Sequence, residues 1–162
     1  MGIYTPRVTN RAPGEDIVIG LDSRSRTEEL YYAGQWLAEN SKEDSKLMGD
    51  INVYEIFSGF FQFDVNVYPF WLRRLYLGST QDILDMISKE DVEFGIYKHT
   101  HRYNELDYLI INNAFLRYYS DLFGELIASD NLKKFDEIPL LDKVYNNNEI
   151  QIYKIKRGNQ NE

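Results

Sequence analysis

The run from Leu141 to Ile155 constrains the fold more than any other part of the chain. Leu141-Asp142-Lys143-Val144-Tyr145 and Glu149-Ile150-Gln151-Ile152-Tyr153-Lys154-Ile155 flank three consecutive asparagines, Asn146 to Asn148. Asparagine enters φ > 0 more cheaply than other residues with a Cβ, so this pattern predicts a β-hairpin. Ile150 and Ile152 then fall on one face of the second strand, and Tyr153 and Ile155 on the other. A strand that is apolar on both faces must be covered on both, which demands a layered fold rather than a free hairpin.

Upstream, helix and strand signals alternate. Thr27 is a suitable N-cap, Glu28 and Glu29 suit the positive end of a helix dipole, and Leu30, Ala33, Gly34 and Leu37 mark one helical face that stops at Asn40. Lys46-Leu47-Met48-Gly49-Asp50 reads as a strand. Val53, Ile56, Phe57, Phe60 and Phe61 come next at helical spacing, and the alternation from about Phe61 to Val67 predicts a strand ahead of Pro69. Ser79, Thr80 and Asp82 open a helix whose stripe is Ile83, Leu84 and Ile87. Val92, Phe94 and Ile96 alternate as a strand. Leu106 to Ile111 is short and nearly continuously apolar, Asn112 or Asn113 caps the next helix, and Phe115 to Ile127 keeps a helical period. The expectation is one α/β domain over residues 26–157, a mixed central sheet flanked by helices and ending in an antiparallel β-hairpin. Residues 1–25 form an extended lead-in or juxtamembrane linker, and 158–162 a disordered tail.

Composition narrows the function classes. With 26 acidic and 18 basic residues, a net charge of -8 and only short basic clusters, the chain lacks the cationic face that nucleic acid requires. Cysteine is absent, which removes disulfides, thiolate metal sites and a cysteine nucleophile together. No apolar run reaches the roughly 18–20 residues that span a bilayer. Phosphate-loop, dinucleotide-binding and G-x-S-x-G motifs are also missing from the sequence. The expected catalytic and cofactor sets are therefore empty.

Three constellations bear chemistry. His99 and His101 are two residues apart, the spacing that puts both imidazoles on one face of a strand, and Glu105 and Asp107 lie close enough in sequence to add oxygen ligands for a metal. The plainer reading of that stretch is a solvated loop between strands. Asp50, Asp64, Asp82 and Asp85 are candidates for paired carboxylates. Asp50 stands out because it comes directly after a strand, and strand carboxyl ends host ligands in open α/β sheets. Finally, 13 Tyr, 9 Phe and 2 Trp give a high aromatic content. Tyr31, Tyr32 and Trp36 share one helix, and Tyr118 and Tyr119 another. Asp50, Tyr32 and Trp36 are the candidate ligand-binding residues, although such aromatics are more often packing material.

The helix Ala33-Gly34-Gln35-Trp36-Leu37-Ala38-Glu39-Asn40, the strand Lys46 to Asp50, the strand Asp107 to Ile111 and the closing hairpin together resemble the soluble C-terminal region of archaeal multi-pass membrane proteins related to the protein-mannosyltransferase-like glycosyltransferases. The likeness covers roughly residues 27 to 155 and rests on structural motifs. It implies a non-catalytic, extracytoplasmic domain attached to a membrane-spanning parent region, accessory to surface glycan assembly and contacting a glycan or protein partner. The residues themselves leave two other functions open. One is a small metal- or acid-dependent hydrolase built on His99 and His101. The other is a ligand-sensing or protein-interaction module.

Overall fold

The computed structural model describes residues 27–66, 76–88, 92–94, 97–101, 105–115 and 129–157. The expected lead-in, the tail and the helix beyond Phe115 lie outside them. Among the described residues, five strands make one mixed sheet: β1 (Lys46–Met48), β2 (Asp64–Asn66), β5 (Tyr108–Asn112), β6 (Leu141–Asn146) and β7 (Ile150–Ile155), in the spatial order β2-β1-β5-β7-β6. β1 runs parallel to both β2 and β5, while β7 pairs antiparallel with β5 and β6. β3 (Val92–Phe94) and β4 (Tyr97–His101) pair antiparallel in a separate two-stranded sheet.

Pleat alternation explains the layering. Leu47, Tyr108, Ile110, Ile150 and Ile152 face one layer, where they meet Leu30, Ala33 and Leu37 of α1 (Glu28–Asn40) and Val53, Ile56 and Phe57. Met48, Leu109, Ile111, Tyr153 and Ile155 face the other, against Ile83, Met86 and Ile87 of α3 (Thr80–Ser88) and Phe135 of a 3-10 helix (Ser129–Glu137). The two-faced reading of β7 thus holds residue by residue. β5 is buried at all five positions, as its apolar run requires.

Between β1 and β2 the chain makes a single helical passage, α2. It is α-helical over Ile51–Val53, widens to a π-helical turn over Tyr54–Ser58 and closes as α-helix over Gly59–Phe61. Gln62 ends it at φ 59°, so the strand predicted from about Phe61 begins only at Asp64. The aromatic alternation there arises because Phe61 and Phe63 both pack with Phe57, at ring separations of 6.3 Å each. α1 and α2 approach closely at Gly34, where a Cβ would lie 2.5 Å from Phe61 Cε2.

Capping agrees with the sequence signals, with one exception. Ser79 and Asp82 form a reciprocal box at α3, with Ser79 N–H to Asp82 Oδ2 at 2.8 Å and Asp82 N–H to Ser79 Oγ at 3.2 Å. Thr27 occupies the N-cap of α1, but its hydroxyl makes no capping bond; the Leu30 N–H bonds the Thr27 carbonyl instead. In the closing turn Asn148 adopts φ 73°, Asn147 Oδ1 accepts from Ile150 N–H and Asn146 Oδ1 accepts from Asn148 N–H. The three asparagines carry out the turn expected of them.

Candidate functional site

Two parallel neighbours, β1 and β5, end at the same edge of the sheet and both turn into helix. Each junction is closed by a buried polar side chain. Asp50 Oδ1 accepts from Asn52 N–H at 2.7 Å and Val53 N–H at 3.1 Å, capping α2, and Asn112 Oδ1 accepts from Phe115 N–H at 3.1 Å. The Asn112 side chain also hydrogen-bonds the Asp50 carboxyl, so the two caps hold each other. From β1 the chain passes through α2 to β2, on the side of β1 away from β5. In open α/β sheets, ligands bind outside strand carboxyl ends where the strand order changes direction, and the β1–β5 boundary is such a place.

Asp50 and Asn112 are both fully buried. Desolvation pushes the Asp50 carboxyl up to about 7; the hydrogen bonds from Val53, Asn52 and Asn112 oppose that rise, and the nearby Glu55 charge adds to it. Its second oxygen, Oδ2, has no hydrogen-bond partner. Tyr76 reaches the same place from helical backbone just ahead of α3. Its ring and hydroxyl are buried, and Tyr76 Oη has no partner in good geometry although it lies against the Asn112 backbone. Burial drives the Tyr76 phenol well above its ordinary range, and the charge of Asp50 drives it further. The main chain of Tyr76 is gripped from the other side. Lys134 Nζ donates to the carbonyls of Tyr76 at 2.7 Å and Gly78 at 2.6 Å. Burial of that ammonium brings its pKa down to about 8, with Asp82 acting to hold it up.

The other predicted residues go to separate places. Tyr32 is on the outer side of α1, 49% exposed, where its hydroxyl donates to Glu28 one turn away. Trp36 leans over the hairpin with its ring 5.1 Å from Tyr145. Neither belongs to the Asp50 cluster, so the three ligand candidates do not form one site. Asp64 is exposed on β2, and Asp82 is taken up in the α3 cap. Tyr118 and Tyr119 lie outside the described residues.

His99 and His101 sit on β4, with His101 opposite Val92, so the polar stretch is strand rather than the loop of the plainer reading. Glu105 is committed elsewhere. It pairs with Lys46 at the start of β1, beside Asp107, whose Oδ2 accepts from Lys46 N–H at 2.9 Å and whose Oδ1 lies 3.3 Å from Arg157. Among the described residues no group of three or more His, Asp or Glu is gathered as a metal site.

Sequence reading singled out Asp50 for the right physical reason, a polar residue just past a strand. It missed the pairing with Asn112 and Tyr76. The signal for Asn112 was there: Leu47-Met48-Gly49-Asp50 and Ile110-Ile111-Asn112 repeat the order strand, then polar cap, and two such junctions meet if their strands are parallel neighbours. One tyrosine among 13 carried no signal for Tyr76.

Among the described residues, no helix is long and apolar enough to cross a membrane. The chain matches no family model, no curated protein and no solved structure.

Proposed function

We propose that this chain is a non-catalytic binding domain, held outside the cytoplasm by a membrane-spanning parent region and accessory to surface glycan assembly. The observation that carries the reading is a contrast between a buried polar cluster and an exposed aromatic layer. At the carboxyl ends of β1 and β5, where an α/β enzyme keeps its reacting groups within reach of substrate, Asp50, Asn112 and Tyr76 are sealed from solvent and two of them are spent on helix caps. The α1–α2 layer instead exposes large apolar groups. Tyr32, Ile51 and Tyr54 are 49%, 44% and 43% exposed. Flat rings with a hydroxyl at the rim suit the face of a sugar, which offers C–H bonds to the ring and hydroxyls to its polar end.

A glycan array probed with the purified domain tests this, with Tyr32→Ala and Tyr54→Ala as comparators. The expected outcome is binding to at least one surface-type glycan, weakened tenfold or more by either substitution. Turnover of a lipid-linked sugar by this chain alone would overturn the non-catalytic part. Stoichiometric zinc or manganese after purification would instead point to the hydrolase built on His99 and His101.

A further inference from the structure

The outer side of β6 is a sheet edge, with backbone donors and acceptors and no strand beside it among the described residues. Proteins often guard such an edge with charged side chains that point away from the sheet. Here both charges on β6 are turned back into the molecule. Lys143 Nζ lies 2.7 Å from Asp136 and 5.4 Å from the centre of the Tyr153 ring, and Asp142 pairs with Lys156 at 2.6 Å. Between Lys143 and Tyr145 the register slips, which leaves Val144 without a partner on β7, apolar and 36% exposed. The edge thus offers hydrogen bonds and an apolar side chain, with no outward charge set against an approaching strand.

The start of α1 lies at one end of that edge. Asn147, the residue after β6, donates from Nδ2 to the carbonyl of Glu29 in the first turn of α1 at 3.0 Å. The chain therefore arrives at α1 beside the carboxyl end of β6. Upstream, Ile17-Val18-Ile19 is the one place in the sequence with three β-branched residues in a row, a strong strand preference. Gly20 to Arg26 is ample for the connection from a strand to a helix, which usually takes about 2–6 residues. The run itself lies outside the described residues. We propose that Ile17-Val18-Ile19 is the occupant of the β6 edge, laid parallel to β6 as a sixth strand of the sheet.

Chain direction and handedness select this edge over the one at β2. β6 is antiparallel to β7, β7 is antiparallel to β5, and β5 is parallel to β1, so β6 runs in the direction of β1. A strand on this edge that ends where α1 begins runs that way too, and strand, α1 and β1 make a parallel crossover. The next crossover, β1-α2-β2, has its helix in the same layer as α1 and moves in the same direction across the sheet, toward β2. The two then share one hand, as nearly all parallel crossovers do. A parallel strand beyond β2 would have to reach β1 in the opposite direction with its helix on the same face, which reverses the hand. Trp36 of α1, 5.1 Å from Tyr145 of β6, brings apolar cover to the chosen edge.

The chain has no cysteine, so engineered pairs report the placement without background. Val144→Cys is combined in the full chain with Ile17→Cys, Val18→Cys or Ile19→Cys, and Asp64→Cys on β2 is combined with the same three. Under mild oxidation, at least one Val144 pair is expected to form a disulfide within one molecule, at least tenfold faster than any Asp64 pair. Hydrogen exchange of the unsubstituted chain gives a second reading that no engineered side chain perturbs. At least one amide among residues 17–19 should exchange tenfold or more below its intrinsic rate, and Val18→Pro should abolish that protection while β7 stays protected. Exchange of all three amides at intrinsic rates would overturn the proposal, as would disulfides that form equally well at Asp64. Val144 disulfides that join two molecules would overturn it too, and would give the edge to a second copy of the chain.

Discussion

Replacing Asp50 by Asn removes one ionisable group and little else. Asn caps helices about as well as Asp, so the Oδ1 bonds to Asn52 and Val53 survive the change. The loss is confined to the cost of an ionised carboxylate in a fully buried place. A folded-state pKa of about 7 against 3.8 in the unfolded chain means that the folded protein binds the extra proton between those values. The wild type therefore loses stability as pH rises from about 4 to 7 and bears a constant cost above that, about 4 kcal/mol at about 1.4 kcal/mol per pKa unit. Between pH 5 and pH 8 the stability of Asp50→Asn relative to wild type should improve by about 2–3 kcal/mol. Urea unfolding at the two pH values measures this, and every titrating group shared by the two proteins cancels in the difference. A carboxyl carbon NMR titration of Asp50 supplies an independent check. A difference between the two proteins that is the same at pH 5 and pH 8 would refute the reasoning, because it would mean that Asp50 titrates alike in the folded and unfolded chain.

Gly34→Ala should cost a net of about 1 kcal/mol and at most about 2 kcal/mol, seen as a lower urea midpoint, because the new Cβ meets Phe61 and Phe57 and the strain of about 1–3 kcal/mol is offset by a gain of only about 1 kcal/mol in helix propensity. A raised midpoint would show that Phe61 yields freely. Asn148→Gly should leave thermal stability within about 0.5 kcal/mol, whereas Asn148→Val should lose about 1–2 kcal/mol, since a β-branched residue is strained at φ 73°. Leu109→Ala, in the middle of the central strand and fully buried, should cost about 2–5 kcal/mol in equilibrium unfolding. A cost under about 1 kcal/mol would mean that the layer under β5 collapses into the cavity.

The layered α/β architecture could be read from residue pattern because its causes are local. Periods of 3.6 and 2 mark Leu30 to Leu37 and Ile150 to Ile155, and each set is buried where its period places it. The passage from Ile51 to Asn66 was harder. There a π-helical turn spoils the helical period, and Phe61 and Phe63 alternate for reasons of aromatic packing rather than strand pleat. The candidate site was half legible. A polar residue at a strand end is a local fact, but the meeting of Asp50, Tyr76 and Asn112 depends on which strands become neighbours, and residues this far apart in the chain leave no local trace of it. Glu105 illustrates the reverse: its nearness in sequence to His101 suggested a ligand, while its salt bridge reaches back to Lys46.

The position of β7 has a consequence for the order of events during synthesis. This strand is made after every other described strand, yet it lies inside the sheet, with β5 on one side and β6 on the other. Until residue 155 has left the ribosome, the edge of β5 away from β1 presents backbone donors and acceptors without their strand partner, beside apolar side chains on both faces. The sheet therefore closes only once its last strand has emerged, and a nascent chain stalled before Ile150 is a candidate for capture by chaperones or by another copy of itself.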